Sequence, residues 1–578
     1  MNNNMANNDY MYEYKRWRDR VSDYNMMEEL IAMSDKGEQI EDAFYKNLSF
    51  GTGGLRGVIG VGTNRMNIYT VAKASQGLAD YITDNYAVDD RSIAIAYDSR
   101  IMSHEFSRIA AGVFAANGIK SYIYTELMPT PCLSYAVRYY GCAAGIMITA
   151  SHNPAKYNGY KVYGSDGCQI TDKAAKDILK KIDRIDIFDD VRLSMFDEEL
   201  ECGMIEYISD DVYTSFVENV KKQSVLYGDE IDRNVDIIYT PLNGTGLKPV
   251  IRTLKESGYT NVRVVSEQEE PDGNFPTCPY PNPEIKESMS IGLEYAKRYN
   301  SDILLATDPD CDRVGIAVKD ENGIRGKKGD YVLLSGNETG VLLLDYICSQ
   351  RSEHGKMPND PVMIKTIVTS DMGKKIAEHY GLKTIDVLTG FKYIGEQIGV
   401  LESKGKEESY ILGFEESYGY LSGTYVRDKD AVNGAFLICE MFAYYKARGI
   451  NLVDKLNNLY NTYGYCLNTL HSYEFEGTSG YSKMQQIMNY FRKKIDSIGD
   501  EKIVAKLDYL NGIDGLPKAD VLKFFINDGS IVIRPSGTEP KLKVYISVCA
   551  ENMDKAKQKE DLLNDFLTHN YFCDRLQN

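Results

Sequence analysis

Nothing in this sequence asks for a membrane. No stretch of its 578 residues approaches the roughly twenty apolar residues of a span. The amino end, Met1-Asn-Asn-Asn-Met-Ala-Asn-Asn-Asp9, lacks the basic start and apolar run of a secretory leader. The eleven cysteines contain no Cys-x-x-Cys pair, and their odd number and scattered spacing predict free thiols in a reducing compartment, with neither a disulfide framework nor a zinc site. Positive charge is also short. With 66 Lys and Arg against 84 Asp and Glu the net charge is −18, so neither nucleic acid nor an anionic membrane is expected as the main partner. A cytoplasmic protein is the expectation.

What is present is enough for several cores. The length predicts three to five domains, and 43% hydrophobic with 26% charged residues is an ordinary globular balance. An acidic chain that binds phosphates must gather its Lys and Arg locally, so each basic cluster carries information. Residues from about 10 to 46 read as helical, with Trp17, Val21, Tyr24, Leu30, Ile31 and Met33 recurring at helical spacing.

Beyond them a pattern repeats three times. A β-branched run ends in a polar turn: Ser92 to Tyr97 before Asp98-Ser-Arg100, Val235 to Thr240 before Pro241-Leu-Asn-Gly244, Val362 to Val368 before Thr369-Ser-Asp371. A helical segment and a second short strand follow (Ser121 to Tyr124, Val262 to Val265, Thr384 to Val387). Then comes a third strand whose end is loaded with polar groups. This alternation predicts parallel α/β units, which bind ligands beyond the carboxyl ends of their strands. Residues 467–578 differ. Strands at Leu467 to Phe475, Val521 to Ile526, Ser530 to Arg534 and Lys541 to Cys549, with helices at Gly480 to Ile498 and Met553 to Thr568, predict an antiparallel α+β domain.

The loaded ends carry the chemistry. Ala143 to Ile148 leads into Thr149-Ala-Ser151-His152-Asn153-Pro154, a serine at a strand end with His152, Lys156 and Lys161 near it. The bland alternative is a turn whose Ser, His and Asn satisfy backbone groups. Phe50-Gly-Thr-Gly-Gly-Leu-Arg56-Gly57 is a glycine-dense loop whose arginine can fork onto phosphate oxygens. Thr307-Asp308-Pro-Asp310-Cys-Asp312-Arg313 sets three carboxylates at i, i+2 and i+4, hard ligands for a hard divalent ion. It is no EF-hand, since the glycine and the distant glutamate are missing. Zinc is not expected, because no Cys/His cluster accompanies the aspartates.

Gly413-Phe-Glu415-Glu-Ser417-Tyr-Gly419 offers acceptors and donors suited to sugar hydroxyls. Lys392 follows a glycine turn in Thr389-Gly-Phe-Lys392-Tyr393. Arg534-Pro-Ser536-Gly537-Thr538-Glu-Pro-Lys541 combines a guanidinium fork with hydroxyls and a backbone nest for an anion.

These motifs, in this order over residues 50 to 541, resemble the α-D-phosphohexomutases, the phosphoglucomutase and phosphomannomutase superfamily. The match is closest to the branch holding bacterial phosphoglucomutases and the long eukaryotic forms. The resemblance implies three α/β units with mixed, largely parallel sheets plus a C-terminal α+β domain, four domains around a central cleft. Their expected limits are 1–205, 206–325, 326–465 and 466–578.

It also implies roles. Ser151 is the phosphoserine and a metal ligand beside Asp308, Asp310 and Asp312, which hold one Mg²⁺. Lys161, Arg313 and His152 assist charge or proton transfer. Arg56 reaches the phosphoserine, and Lys392, Glu415 and Ser417 meet the sugar. Arg534, Ser536, Gly537 and Thr538 grip the phosphate that is not reacting. The implied reaction interconverts glucose 1-phosphate and glucose 6-phosphate through glucose 1,6-bisphosphate, in a monomer or weak homodimer whose partners are small sugar phosphates.

Two positions depart from the family pattern. Cys311 stands where Gly is usual, and Tyr418-Gly-Tyr420 where other members carry Gly-His. Mannose, amino-sugar and pentose phosphates remain open, as do a serine and metal phosphatase and a sugar-phosphate sensor. A phosphatase would not need the Arg534 loop, and a sensor would not need both nucleophile and metal.

Overall fold

The computed structural model describes residues 3–51, 53–475, 477–493, 495–513, 515–536 and 541–572. Three of its sheets share one plan. In the first, Ser92–Tyr97 pairs in parallel with Lys120–Ile123 on one side and Ala144–Ile148 on the other. The return strand Tyr157–Gly164 is antiparallel to Ala144–Ile148. In the second, Ile237–Thr240 lies parallel between Val262–Val264 and Ile303–Thr307, and Val314–Lys319 returns antiparallel. In the third, Val362–Thr366 lies parallel between Lys383–Val387 and Tyr410–Glu415, with Gly419–Leu421 returning.

Each third strand is buried along its length and so reads as an unbroken apolar run. The loaded loop is always the link between the third strand and its return. Each link contains one non-glycine residue in the left-handed region: Ser151 at φ +52°, Cys311 at +51° and Tyr418 at +64°. A residue with a Cβ avoids that region unless its surroundings hold it there.

The fourth sheet is wholly antiparallel, in the order Tyr465–Glu474, Lys541–Ala550, Gly529–Pro535, Leu522–Ile526, Glu501–Asp508, Ser497–Ile498. The helices Gly477–Arg492 and Met553–Leu567 pack onto it through Met484, Met488, Phe491, Leu563 and Leu567. The expected helix to Ile498 thus stops at Arg492, and Glu501–Asp508 is an added strand.

The first three units do not stand apart. One continuous core runs from Ala94 to Tyr460 and reaches the base of the fourth sheet. At its centre Ala431–Ala447 is buried as far as Tyr445 and, apart from Asn433 and Glu440, apolar on every face of that span. Asp430 caps it, accepting from the N–H groups of Val432 (2.8 Å) and Asn433 (3.0 Å). The amino-terminal helices form their own small core, in which Trp17 meets Phe44, Tyr69 and Phe188 edge-on. Of the predicted apolar face, Tyr24 and Ile31 are exposed.

The cysteine expectation needs correcting. Cys466 and Cys549 lie directly opposite on adjacent strands and form a disulfide. Strand pairing across 83 residues makes them neighbours, which spacing alone does not reveal. Eight other cysteines are free among the described residues, while Cys573 lies outside them.

Candidate active site

The Ser151 loop and the aspartate loop meet face to face. Ser151 Oγ donates to Asp308 Oδ2 at 3.0 Å and stands 3.2 Å from His152 Nδ1. Asp308, Asp310 and Asp312 are buried, each offering a carboxylate oxygen within 4.8 Å of the others. The loop wraps on itself, Asp308 Oδ1 accepting from the N–H groups of Asp312 (3.1 Å) and Arg313 (3.0 Å). Thr130, at the start of the helix Thr130–Tyr140, donates its N–H to the Asp310 carbonyl and its hydroxyl to Asp310 Oδ2.

Three buried carboxylates at this separation repel, so cations have gathered. Lys161 Nζ lies 2.7 Å from Asp310 Oδ2 and 3.5 Å from Asp312 Oδ2. Lys429 Nζ lies 3.0 Å from Asp312 Oδ2, and Arg313 Nε is 3.9 Å from Asp308 and 3.8 Å from Asp312. Glu284 holds the other end of the Arg313 fork.

The ionisations follow. Burial, then Asp312 and Asp310, pushes Asp308 well above the carboxylate range. Asp312 is held below that range, because Lys429, Lys161 and Arg313 outweigh its burial. Burial lowers Lys161, and Asp310 and Asp312 more than restore it. Burial, with Arg313 and Arg56 adding to it, drives His152 well below its usual value, so that imidazole is neutral.

Even with three cations the cluster is not satisfied. Asp310 Oδ1 and Asp312 Oδ1 are buried with no hydrogen-bond partner among the described residues. Such orphaned oxygens are costly, and together with a third carboxylate they suit a divalent ion bound by oxygen.

The third loop joins the second through the Val314 N–H, which donates to the Tyr418 carbonyl at 3.1 Å. Glu415 is 5% exposed and accepts from the Gly390 N–H at 3.0 Å and from Ser417 Oγ at 3.4 Å. Burial pushes its pKa up to about 7, with Lys429 opposing. Glu416 turns away, to the hydroxyls of Thr366 and Thr369.

The remaining predicted positions are looser. Arg56 reaches Asn153 Oδ1 at 3.4 Å beside the serine loop. Lys392 pairs with Asp172 at 3.4 Å, while the lysines on the aspartates are 161 and 429. Arg534 lies over the Tyr545 ring and donates to its hydroxyl at 3.2 Å. Burial pushes that hydroxyl up to about 12, Arg534 opposing and Glu416 and Glu415 adding, so the fourth unit sits within electrostatic reach of the third loop. The Ser536 N–H donates to the Lys541 carbonyl at 2.7 Å, and Gly537 and Thr538 lie outside the described residues.

Sequence reasoning passed over Lys429, Thr130 and Glu284. Only Lys429 left a signal: the alternating charges Arg427-Asp-Lys-Asp430 directly precede an apolar helix.

Family models match nearly end to end. The α/β/α domains I, II and III of phosphoglucomutase/phosphomannomutase match residues 47–187, 212–323 and 335–463, and the C-terminal domain matches 493–564. The chain is similar to a Staphylococcus haemolyticus phosphoglucomutase, 35% identical over 530 residues, 90% of this chain and 93% of the relative. A Staphylococcus aureus phosphoglucomutase (strain MSSA476) is 35% identical over 94% of this chain and 97% of its own. Among solved structures, the open form of pp63/parafusin (phosphoglucomutase) from Paramecium superposes with a TM-score of 0.67 at 16% identity, covering 92% of this chain and 96% of that one.

Proposed function

The chain belongs to the phosphoglucomutase/phosphomannomutase family, and on that premise we propose that it interconverts glucose 1-phosphate and glucose 6-phosphate through a phosphorylated Ser151 and glucose 1,6-bisphosphate. It is a mutase, an isomerase that moves a phosphoryl group within one sugar. The observation that carries the reading is the 3.0 Å contact between Ser151 Oγ and Asp308, with oxygens of Asp310 and Asp312 beside it that lack a hydrogen bond among the described residues.

The donor set favours Mg²⁺ over zinc, one ion on Asp308, Asp310 and Asp312 with an oxygen of Ser151 or its phosphate. Such an ion supplies charge neutralisation on the transferring phosphoryl group. The chain's own residues do the rest. Phosphorylated Ser151 gives its phosphoryl group to the free hydroxyl of the bound sugar phosphate, breaking the bond at Oγ as the bond to sugar oxygen forms, and the proton that the hydroxyl loses is balanced by the one that Oγ takes up. Neutral His152, 3.2 Å from Oγ, is placed to hold the serine proton on return. Protonated Lys161 and the guanidinium of Arg313 stabilise charge on the oxygens in transfer.

The bisphosphate then turns end for end. Glu415 and Ser417 read the 3- and 4-hydroxyls, Lys392 touches the sugar, and Arg56 steadies the serine loop. Arg534, Ser536, Gly537 and Thr538 hold the idle phosphate at either end. We divide the chain at 205, 325 and 465 into the four domains that share this work.

Small sugar phosphates are its partners, and it acts as a monomer or weak homodimer. We assign it to the cytoplasm. Among the described residues no helix is long and apolar enough to cross a membrane.

A coupled assay on a panel of sugar phosphates tests the proposal. Glucose 1-phosphate should turn over fastest and mannose 1-phosphate more slowly. A clear preference for ribose 1-phosphate or an N-acetylglucosamine phosphate replaces the sugar. Release of inorganic phosphate without isomer formation replaces the reaction class.

A further inference from the structure

Beneath the Ser151 loop lies a guanidinium that the mechanism leaves unused. Arg100 stands three residues beyond the strand Ser92–Tyr97, and its side chain has no exposure. Its NH1 donates to the carbonyls of Pro154 and Tyr157, each at 3.0 Å, and its NH2 to those of Ser151 (2.5 Å) and Asn153. Four carbonyls between residues 151 and 157 thus converge on one planar fork, a geometry that a lysine ammonium cannot reproduce.

Asp98 closes the arrangement. Its Oδ2 accepts from Thr149 Oγ1 at 2.6 Å and lies 3.4 Å from Arg100 Nε. Its Oδ1 accepts from the Arg100 N–H at 2.9 Å and from Ser103 Oγ at 2.8 Å. Thr149 Oγ1 in turn accepts from the Ser151 N–H at 2.8 Å. Both backbone groups of Ser151 are therefore tied, directly or through one hydroxyl, to a single buried ion pair. Ser151 is also the left-handed residue of this link, and such a conformation persists only where its surroundings over-determine it.

The pair also touches the unit that carries the aspartates. The Phe275 ring lies 5.0 Å from the Arg100 guanidinium. The Gly273 backbone is so close that an added Cβ would fall 2.5 Å from the Ile101 nitrogen. Serine and aspartates are thus registered on one another through the same residues.

Building on the reading of Ser151 as the nucleophile, we propose that Asp98 and Arg100 are positioning residues that hold Ser151 Oγ in line with the aspartate cluster. Their hydrogen bonds run to the Ser151 loop, to Ser103 and to each other, so their loss should act on the chemical step and spare binding. Small displacements of a reacting group cost on the order of 100-fold in rate.

The test uses full-length enzyme with Mg²⁺. Arg100→Lys should fold, keep KM for glucose 1-phosphate within about threefold, and lose kcat on the order of 100-fold. Single-turnover loss of phosphate from Ser151 should slow in the same proportion. Thr149→Val, which cuts only the hydroxyl link, should show the same split at roughly tenfold, and it decides the matter if Arg100→Lys does not fold. A folded Arg100→Lys, or failing that Thr149→Val, with kcat within about threefold of wild type overturns the proposal. So does a loss that falls on KM alone. Ser151→Ala run beside them separates the premises: if it still turns over, the nucleophile assignment fails, and if it is dead while Arg100→Lys is normal, only the positioning role fails.

Discussion

Replacing Glu415 by Gln should make this protein more stable and less active at the same time. The carboxyl is 5% exposed, and burial raises its pKa to about 7 from an ordinary 4.5. At 1.36 kcal/mol per pH unit, keeping it ionised in that pocket costs about 3 kcal/mol. The sign follows from proton linkage. Between pH 4.5 and 7 the folded protein binds the proton that the unfolded chain has released, so stability falls as pH rises through that window and is flat beyond it.

Glu415→Gln keeps an acceptor for the Gly390 N–H and removes the charge. It should match wild type near pH 4.5 and exceed it by up to about 3 kcal/mol at pH 8, read from urea unfolding at fixed Mg²⁺. Activity should move the other way. A charged acceptor on a sugar hydroxyl is worth about 1.5–3 kcal/mol, so kcat/KM at pH 8 should drop roughly ten- to a hundredfold on glucose and mannose phosphates alike. The wild-type rise of kcat/KM through pH 7 should flatten in the variant. A variant less stable than wild type at pH 8, or one that keeps that rise, would refute the reasoning.

Two further outcomes are expected. Lys429→Met should cost metal-free protein about 3–5 kcal/mol, because it strips Asp312 of a buried partner, and Mg²⁺ should restore part of that loss; thermal shifts with and without the ion check both halves, and an unchanged midpoint counts against the ion pair. Alkylation of denatured protein should label Cys466 and Cys549 only after reduction, and replacing both by Ser should lower stability by roughly 2–4 kcal/mol, with full labelling before reduction as the contrary result.

Legibility in the sequence tracked burial. Third strands such as Ala144–Ile148 and Ile303–Thr307 are covered on both faces, so their apolar runs are unbroken and their ends stand out. Glu501–Asp508 was invisible because none of its residues is fully buried and three face solvent, Val504 at 58% exposure among them. The Ser151 loop and the three aspartates stood out as candidate chemistry because each concentrates its polar groups within a few residues, and the structure brings the two together.

Lys429 was not readable in the same way. Its meaning depends on where the helix Ala431–Ala447 delivers it, 117 residues beyond Asp312 in the chain and 3.0 Å from it in space. Asp98 and Arg100 could be read as a polar strand end, but their hold on the Ser151 carbonyl emerges only once two parallel strands are paired. The disulfide is of the same kind, a contact made by strand pairing and by nothing local.

The central claim is that Ser151 carries the phosphoryl group, and peptide mass spectrometry tests it most directly. Enzyme incubated with glucose 1,6-bisphosphate and Mg²⁺, then digested, should show one phosphate on the peptide holding Thr149-Ala-Ser151-His152, discharged by glucose 1-phosphate or glucose 6-phosphate and missing in Ser151→Ala. Phosphate on another residue, together with a Ser151→Ala enzyme that still isomerises glucose 1-phosphate, would contradict it.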